Sequence, residues 1–249
     1  MGKQENIKIF EDTETLCKTN SSLKQSIKNS ICNQKLILQN QRINSNNQKR
    51  YEKPANIIVS KKRTLQAASA YKNTKTAVHN FASATNPGGG VKRGSNAQEE
   101  CLCRCSSLYF CLNIDAMWKG FYYPHRNAHN PIHNDDIIYT PAVTVFKTDT
   151  EQPEIMDASD WYNVDVITCA APNLRVKNNY NGKSSYNNAK KMTNDELLKL
   201  HEKRLKRILD TALSEDDETI ILGAFGCGAF MNDPQIVAQA AKNVIREYL

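Results

Sequence analysis

Residues 76–112 constrain the architecture more than any other stretch. Thr76-Ala-Val-His-Asn-Phe81 reads as a strand that runs straight into Asn86-Pro87-Gly88-Gly89-Gly90, and from Ala97 to Leu112 the pattern turns helical. Three consecutive glycines let a backbone come close to a ligand with its N–H groups free and φ unrestricted. Seven residues separate Gly90 from Gln98-Glu99-Glu100, so both glutamates fall in the first turn of the helix. Two carboxylates after such a loop suit acid–base work on whatever the loop holds. The plainer use of the same residues is to open a helix with favourable dipole charge.

The rest of the chain predicts further strands and helices. Ile7–Cys17 and Ser22–Gln39 read as helices, with Thr13 or Asn20/Ser21 as caps, and residues 41–50 as a polar linker. Asn56–Ser60 is a short strand candidate and Lys62–Tyr71 a helix. Ile137–Phe146 and Val164–Ala170 are apolar, β-branched strand candidates. Thr193-Asn-Asp-Glu196 is a capping box ahead of an apolar stripe formed by Leu197, Leu198, Leu205, Ile208, Leu209 and Ala212. Glu218–Gly223 reads as a buried strand, and Pro234 opens a last helix. Strands alternating with helices predict an α/β layered sheet with helices on both faces and ligands at the carboxyl ends of strands.

A second glycine loop, Gly223-Ala-Phe-Gly-Cys-Gly-Ala-Phe230, lies between a predicted strand and helix, where main-chain N–H groups and a helix N-terminus make an anion site. It is neither a Walker loop nor a dinucleotide fingerprint, because no Gly-Lys-Ser/Thr follows and position 231 is Met231. It can hold a diphosphate through amides alone, with Phe230 placed to lie over a ribose or base. The alternative is a tight turn with Phe230 in the core.

Charge and cysteine usage narrow the function classes. The net charge is +7, and residues 1–50 hold nine Lys/Arg against four Asp/Glu, so +5 of it lies outside the motif region. A basic tail beside a nearly balanced domain fits a polyanionic substrate as well as it fits duplex DNA. The chain opens without an apolar leader-like run and has no stretch of the ~20 apolar residues needed to span a bilayer. An intracellular, reducing compartment (cytoplasmic, or nuclear in a eukaryote) with free thiols is the expectation. Cys101, Cys103, Cys105 and Cys111 fit no zinc spacing and read as packing. His125, His129 and His133 recur every four residues, but Pro124 and Pro131 point to a polar loop. Cys227 has no identifiable His partner for thiol catalysis. The segment 174–188 reads as a solvated polar loop, with Asn173 at a strand end.

The triple glycine, the spacer and Gln98-Glu99-Glu100 resemble the signature of the poly(ADP-ribose) glycohydrolases, in their compact microbial branch. Tyr139–Phe146, Ile167–Asn173 and Leu222–Pro234 resemble that branch in the same order. The resemblance runs from about residue 55 to the C-terminus and is less clear over the first fifty residues. It implies a macrodomain-like three-layer α/β/α sandwich with a mixed central sheet. Residues 1–50 would be an N-terminal helical extension and linker, and 51–249 the catalytic domain. It further implies hydrolysis of the ribose–ribose O-glycosidic bond, mainly from chain ends, with no metal and no cofactor. Glu100 would be the general acid and then the base, and Glu99 would fix the sugar. Adjacent helical residues point roughly 100° apart, so the two are not expected to face each other across one bond. Ser83, Asn86, Gly88, Gly89, Gly90, Gln98, Gly226, Cys227, Gly228, Ala229 and Phe230 would bind ligand. Expected partners are poly(ADP-ribose) or ADP-ribose and ADP-ribosylated proteins, with a monomeric chain, no membrane and no sequence-specific nucleic acid. The alternatives are an ADP-ribose reader that does not use Glu100, and a hydrolase of single ADP-ribosyl groups.

Overall fold

The computed structural model describes residues 2–44, 53–175 and 192–249. Helices α1 (Lys3–Thr19) and α2 (Ser21–Asn33) precede strand β1 (Lys35–Ile37) and the short helix α3 (Thr64–Ala68). Then come β2 (Thr76–Phe81), α4 (Gln98–Cys105), α5 (Leu108–Leu112), α6 (Asp115–Met117) and α7 (Tyr123–Ala128). A π-helical turn, Trp118–Tyr122, joins α6 to α7. The chain continues through β3 (Ile137–Val145), β4 (Tyr162–Cys169), α8 (Asn194–Ser214), β5 (Thr219–Ile221) and α9 (Pro234–Arg246).

Five strands form one mixed sheet in the order β1-β3-β4-β2-β5. Strand β2 is parallel to β4 and to β5, while β3 is antiparallel to β4 and to β1. The carboxyl ends of β2, β4 and β5 therefore open on one side, and the segments that carry the two glycine loops leave β2 and β5 there, with the Phe81 and Phe225 rings 5.9 Å apart. Side chains alternate between the faces of each strand. Val78, Ile138, Val164 and Val166 pack under α1, α4 and α5, whereas Ala77, Ile137, Tyr139 and Ile167 pack against Ile208, Ala212 and Val237 of α8 and α9. This is the expected α/β/α sandwich with a mixed sheet. Strand β2 is covered on both sides, so it lacks the polar alternation of a half-exposed strand.

Several element boundaries depart from the sequence expectation. The second helix ends at Asn33 rather than Gln39, because Lys35–Ile37 pairs antiparallel with the free edge of β3. Asn56–Ser60 forms no ladder, and Ile57, Ile58 and Val59 are exposed. The helix expected over 97–112 breaks between α4 and α5. There Ser106 bridges Val145, and the Ser107 hydroxyl accepts the Thr144 N–H at 3.1 Å, a hydroxyl–backbone competition that ends helices. Strand β5 is half-buried because it is an edge. His125 lies on α7 and is buried, not in a polar loop. Residues 45–50 of the expected linker and 176–188 of the expected loop lie outside the described residues.

Where caps were legible they form. Thr193 accepts the Glu196 N–H at 3.2 Å while Glu196 accepts the Thr193 N–H at 2.9 Å. Asp233 caps α9 through the Gln235 N–H at 2.8 Å, with Pro234 at the first helical position. All eight cysteines are free thiols, and no group of His, Cys, Asp and Glu among the described residues could hold a metal ion. No described helix is long and apolar enough to cross a membrane.

Candidate active site

The first glycine loop folds back over the start of α4. Glu100 accepts the Gly90 N–H at 2.8 Å on one carboxylate oxygen and the Ala97 N–H at 3.0 Å on the other. Glu99 accepts the Ser83 N–H at 2.8 Å. Both side chains are buried, at 3% and 7% exposure for Glu99 and Glu100. Gly89 has φ of +58°, and a Cβ there would meet a Glu100 oxygen at 2.5 Å and a Glu99 oxygen at 3.0 Å. The two carboxylates thus converge on one glycine, although their Cα positions diverge around the helix. The loop wraps over the helix N-terminus, and side chains of this length bend towards its N–H groups.

Burial pushes the Glu99 carboxyl up to about 8, against the opposing pull of the Ser83 and Gly88 N–H groups. Desolvation disfavours the carboxylate, and the neighbouring Glu100 adds repulsion. Burial thus favours the protonated form of Glu99, which can donate a hydrogen bond.

The flanking residues hold the loop in place. The Ser83 hydroxyl accepts the Asn86 N–H at 3.2 Å, and the Asn86 carbonyl accepts the Gly89 N–H at 3.0 Å. The Gln98 amide is engaged within the protein. Its oxygen accepts the Phe81 N–H at 2.9 Å, and its nitrogen donates to the His79 carbonyl at 2.8 Å and to the Thr64 hydroxyl at 3.2 Å. Gln98 thus extends the hydrogen bonding of β2 into α4 and is taken up within the protein.

The second loop sits one strand over. Gly226 has φ of +78°, and a Cβ there would strike Ala171 at 2.5 Å and the Asn232 amide at 2.6 Å. Gly228 has open space around its Cα, and both Gly228 and Ala229 are exposed. Cys227 is partly buried, with its thiol pushed up by desolvation, which leaves it a poor nucleophile. Phe230 is half-buried, 6.2 Å between ring centroids from His133, and its carbonyl accepts the Leu174 N–H at 2.9 Å. Met231 takes φ of +60° and is exposed, a conformation that glycine adopts without strain.

Three residues that sequence reasoning missed position these loops. The Asn232 amide nitrogen donates to the carbonyls of Pro172 at 2.8 Å and Gly226 at 3.0 Å, while its oxygen lies 2.9 Å from His201 Nε2. Arg204 is 1% exposed and reaches Asp135 and the carbonyls of Ala170 and Ile132, at 2.7–2.9 Å. Arg126 donates to the Thr85 carbonyl and to the Asn86 side chain, both at 2.6 Å. Arg204 had a signal, since a cation within the apolar stripe of α8 has to be paired. Arg126 had none, because Thr85 and Asn86 are some forty residues away, and Asn232 had none because its role depends on Pro172 and His201, sixty and thirty-one residues away.

An α/β/α sandwich with two glycine loops at the carboxyl ends of neighbouring parallel strands defines a macrodomain-like protein, here with a carboxylate pair at the start of α4 under the first loop. The description of the microbial-type PARG catalytic domain matches residues 3–148, more than half of the chain, and the chain belongs to this family. The match begins at α1, so it takes in the helices whose resemblance was less clear. Among solved structures, the poly(ADP-ribose) glycohydrolase of Thermomonospora curvata is 26% identical. That comparison covers 96% of this chain and 86% of the other, with a TM-score of 0.79. Bound to the inhibitor ADP-HPD, the same protein gives 0.77 with 85% of it covered. The Deinococcus radiodurans enzyme in complex with ADP-ribose is 28% identical, over 88% of this chain and 84% of the other, at 0.72. No curated protein sequence matches.

Proposed function

We propose that this poly(ADP-ribose) glycohydrolase uses Glu100 as the acid and then the base. The carboxylate pair gathered under Gly89 at the carboxyl end of β2 carries this reading. Glu100 gives a proton to the leaving ribose oxygen as the C1–O bond of the terminal ADP-ribose breaks. It then takes a proton from the water that attacks C1, leaving ADP-ribose and a polymer one residue shorter. The Gly226–Phe230 loop holds the diphosphate through its amides, and Phe230 covers the distal ribose. The diphosphate charge stabilises the oxocarbenium-like transition state. Protonated Glu99 donates to a ribose hydroxyl and fixes the sugar. Release from chain ends follows the resemblance to the compact branch, and the free thiols suit an intracellular setting.

End-labelled polymer incubated with the protein in EDTA should release monomeric ADP-ribose. Glu100→Gln, which keeps one of the two main-chain N–H bonds, should still bind ADP-ribose measurably while turnover falls roughly 10²–10⁴-fold, the usual worth of a general acid. Undiminished cutting by Glu100→Gln would remove the assignment. The raised Glu99 carboxyl favours a second reading, in which Glu99 is the proton donor. In that case Glu99→Gln, rather than Glu100→Gln, abolishes release while sparing binding.

A further inference from the structure

We propose that Trp118, Tyr123 and Arg126 form a subsite for the adenosine of the penultimate polymer residue, the one that carries the leaving oxygen; this rests on the function proposed above. Trp118, Tyr122 and Arg126 recur every four residues through the π-helical turn and α7, so they share a face. Tyr122 is fully buried on the Glu99 side of that face, whereas Arg126 at its far end is exposed. The Arg126 guanidinium lies over the Trp118 ring at 4.6 Å, and the Tyr123 ring is 5.0 Å from Trp118 at an interplanar angle of 39°. Tyr123 is 48% exposed, too much for a core residue.

The bonds from Arg126 to Thr85 and Asn86 set this shelf directly against the first glycine loop. The terminal ADP-ribose runs from that loop towards the diphosphate loop. The polymer on the other side of the scissile bond must leave past the first loop, because the bond being cut joins it to the ribose beside Glu100. A subsite for it has to begin within about one sugar of Glu100, and the shelf adjoins Asn86 there. A planar guanidinium backed by a ring presents its outer face for base stacking, as arginine planes and aromatic rings do for splayed-out bases. Arg126 Nη1 makes no hydrogen bond among the described residues, and Lys119, on the same π-helical turn as Trp118, is exposed. Both are placed for the negative charge of the next diphosphate.

The test uses Trp161→Phe, Glu100→Gln protein, in which Trp118 is the sole tryptophan and turnover is blocked. Titrated with ADP-ribose and with a two-residue ADP-ribose oligomer, the oligomer should bind about 5- to 20-fold tighter and quench Trp118 emission further. Tyr123→Ala should abolish that advantage while leaving ADP-ribose affinity unchanged. In otherwise native enzyme, Tyr123→Ala should raise KM for polymer about fivefold at constant kcat. Equal affinities for the two ligands, or an unchanged polymer KM in Tyr123→Ala, would overturn the subsite alone. Failure to bind either ligand would overturn the proposed function and the subsite with it.

Discussion

At Gly89 the absence of a side chain is a chemical requirement. Its φ of +58° and the carboxylate oxygens on either side leave room for a hydrogen atom and nothing larger. Glu99, enclosed by this backbone, keeps its proton up to about pH 8. Between the ordinary carboxylate range and pH 8 the unfolded chain has lost this proton while the folded chain retains it. The Glu99 contribution to stability is therefore full in acid and declines as pH rises through that window. Denaturant titrations from pH 5 to 8 should show the decline, and Glu99→Gln should flatten it. An unchanged slope in that variant would mean Glu99 is ionised in the folded protein.

At the scale of the element, the Gly226–Phe230 loop depends on the helices behind it. Helix α8 sends His201 and Arg204 inward, one to Asn232 and the other to the loop around residues 132–135. Asn232 then ties the Gly226 carbonyl to the Pro172 carbonyl, fixing the turn between β5 and α9 against the exit of β4. His79 and His201 flank Phe225 of the same loop, with ring centroids at 4.4 and 5.6 Å, and burial holds His79 down to about 3, so it stays neutral. Asn232→Ala strands these buried groups, at a cost of about 1–3 kcal/mol. It should lower ADP-ribose affinity about tenfold by calorimetry. A stability loss with unchanged affinity would show that the loop holds its shape without this side chain.

For the whole molecule, the first helices are part of the support of the active site. In α1, Asn6, Phe10, Thr13 and Cys17 form the buried stripe. Asn6 donates to the Gly94 carbonyl at 3.0 Å, just after the Gly88–Gly90 loop, and Thr13 donates to the Arg104 carbonyl at 2.6 Å, at the end of α4. Lys147, 2% exposed, reaches back from the end of β3 to Asp12 at 2.7 Å. Phe10 meets Tyr109 edge-on at 5.1 Å, under the loop that carries Gly88. Phe10→Ala should cost about 3–5 kcal/mol by denaturant unfolding. A loss below about 1 kcal/mol would mean α1 packs only loosely on the sheet.

Local chemistry made much of this legible from sequence. The candidate glycine loops and glutamates, the caps of α8 and α9 and strands β2, β3 and β4 follow from residue type and near-neighbour spacing, and the caps and strands form as read. Near-neighbour patterns said less about choices made by distant partners. Leu36 and Ile37 suit a helix or a strand, and the open edge of β3 selected the strand. Ser106 and Ser107 could sit in a helix, but pairing with the end of β3 broke it. Arg126 and Asn232 are ordinary polar residues until the chain brings Asn86 and Pro172 beside them. Sequence determined which groups could do chemistry, because φ freedom and charge belong to each residue. Tertiary structure decided how Glu99 and Glu100 converge and how far burial raises the Glu99 carboxyl, because convergence and desolvation depend on everything packed around them.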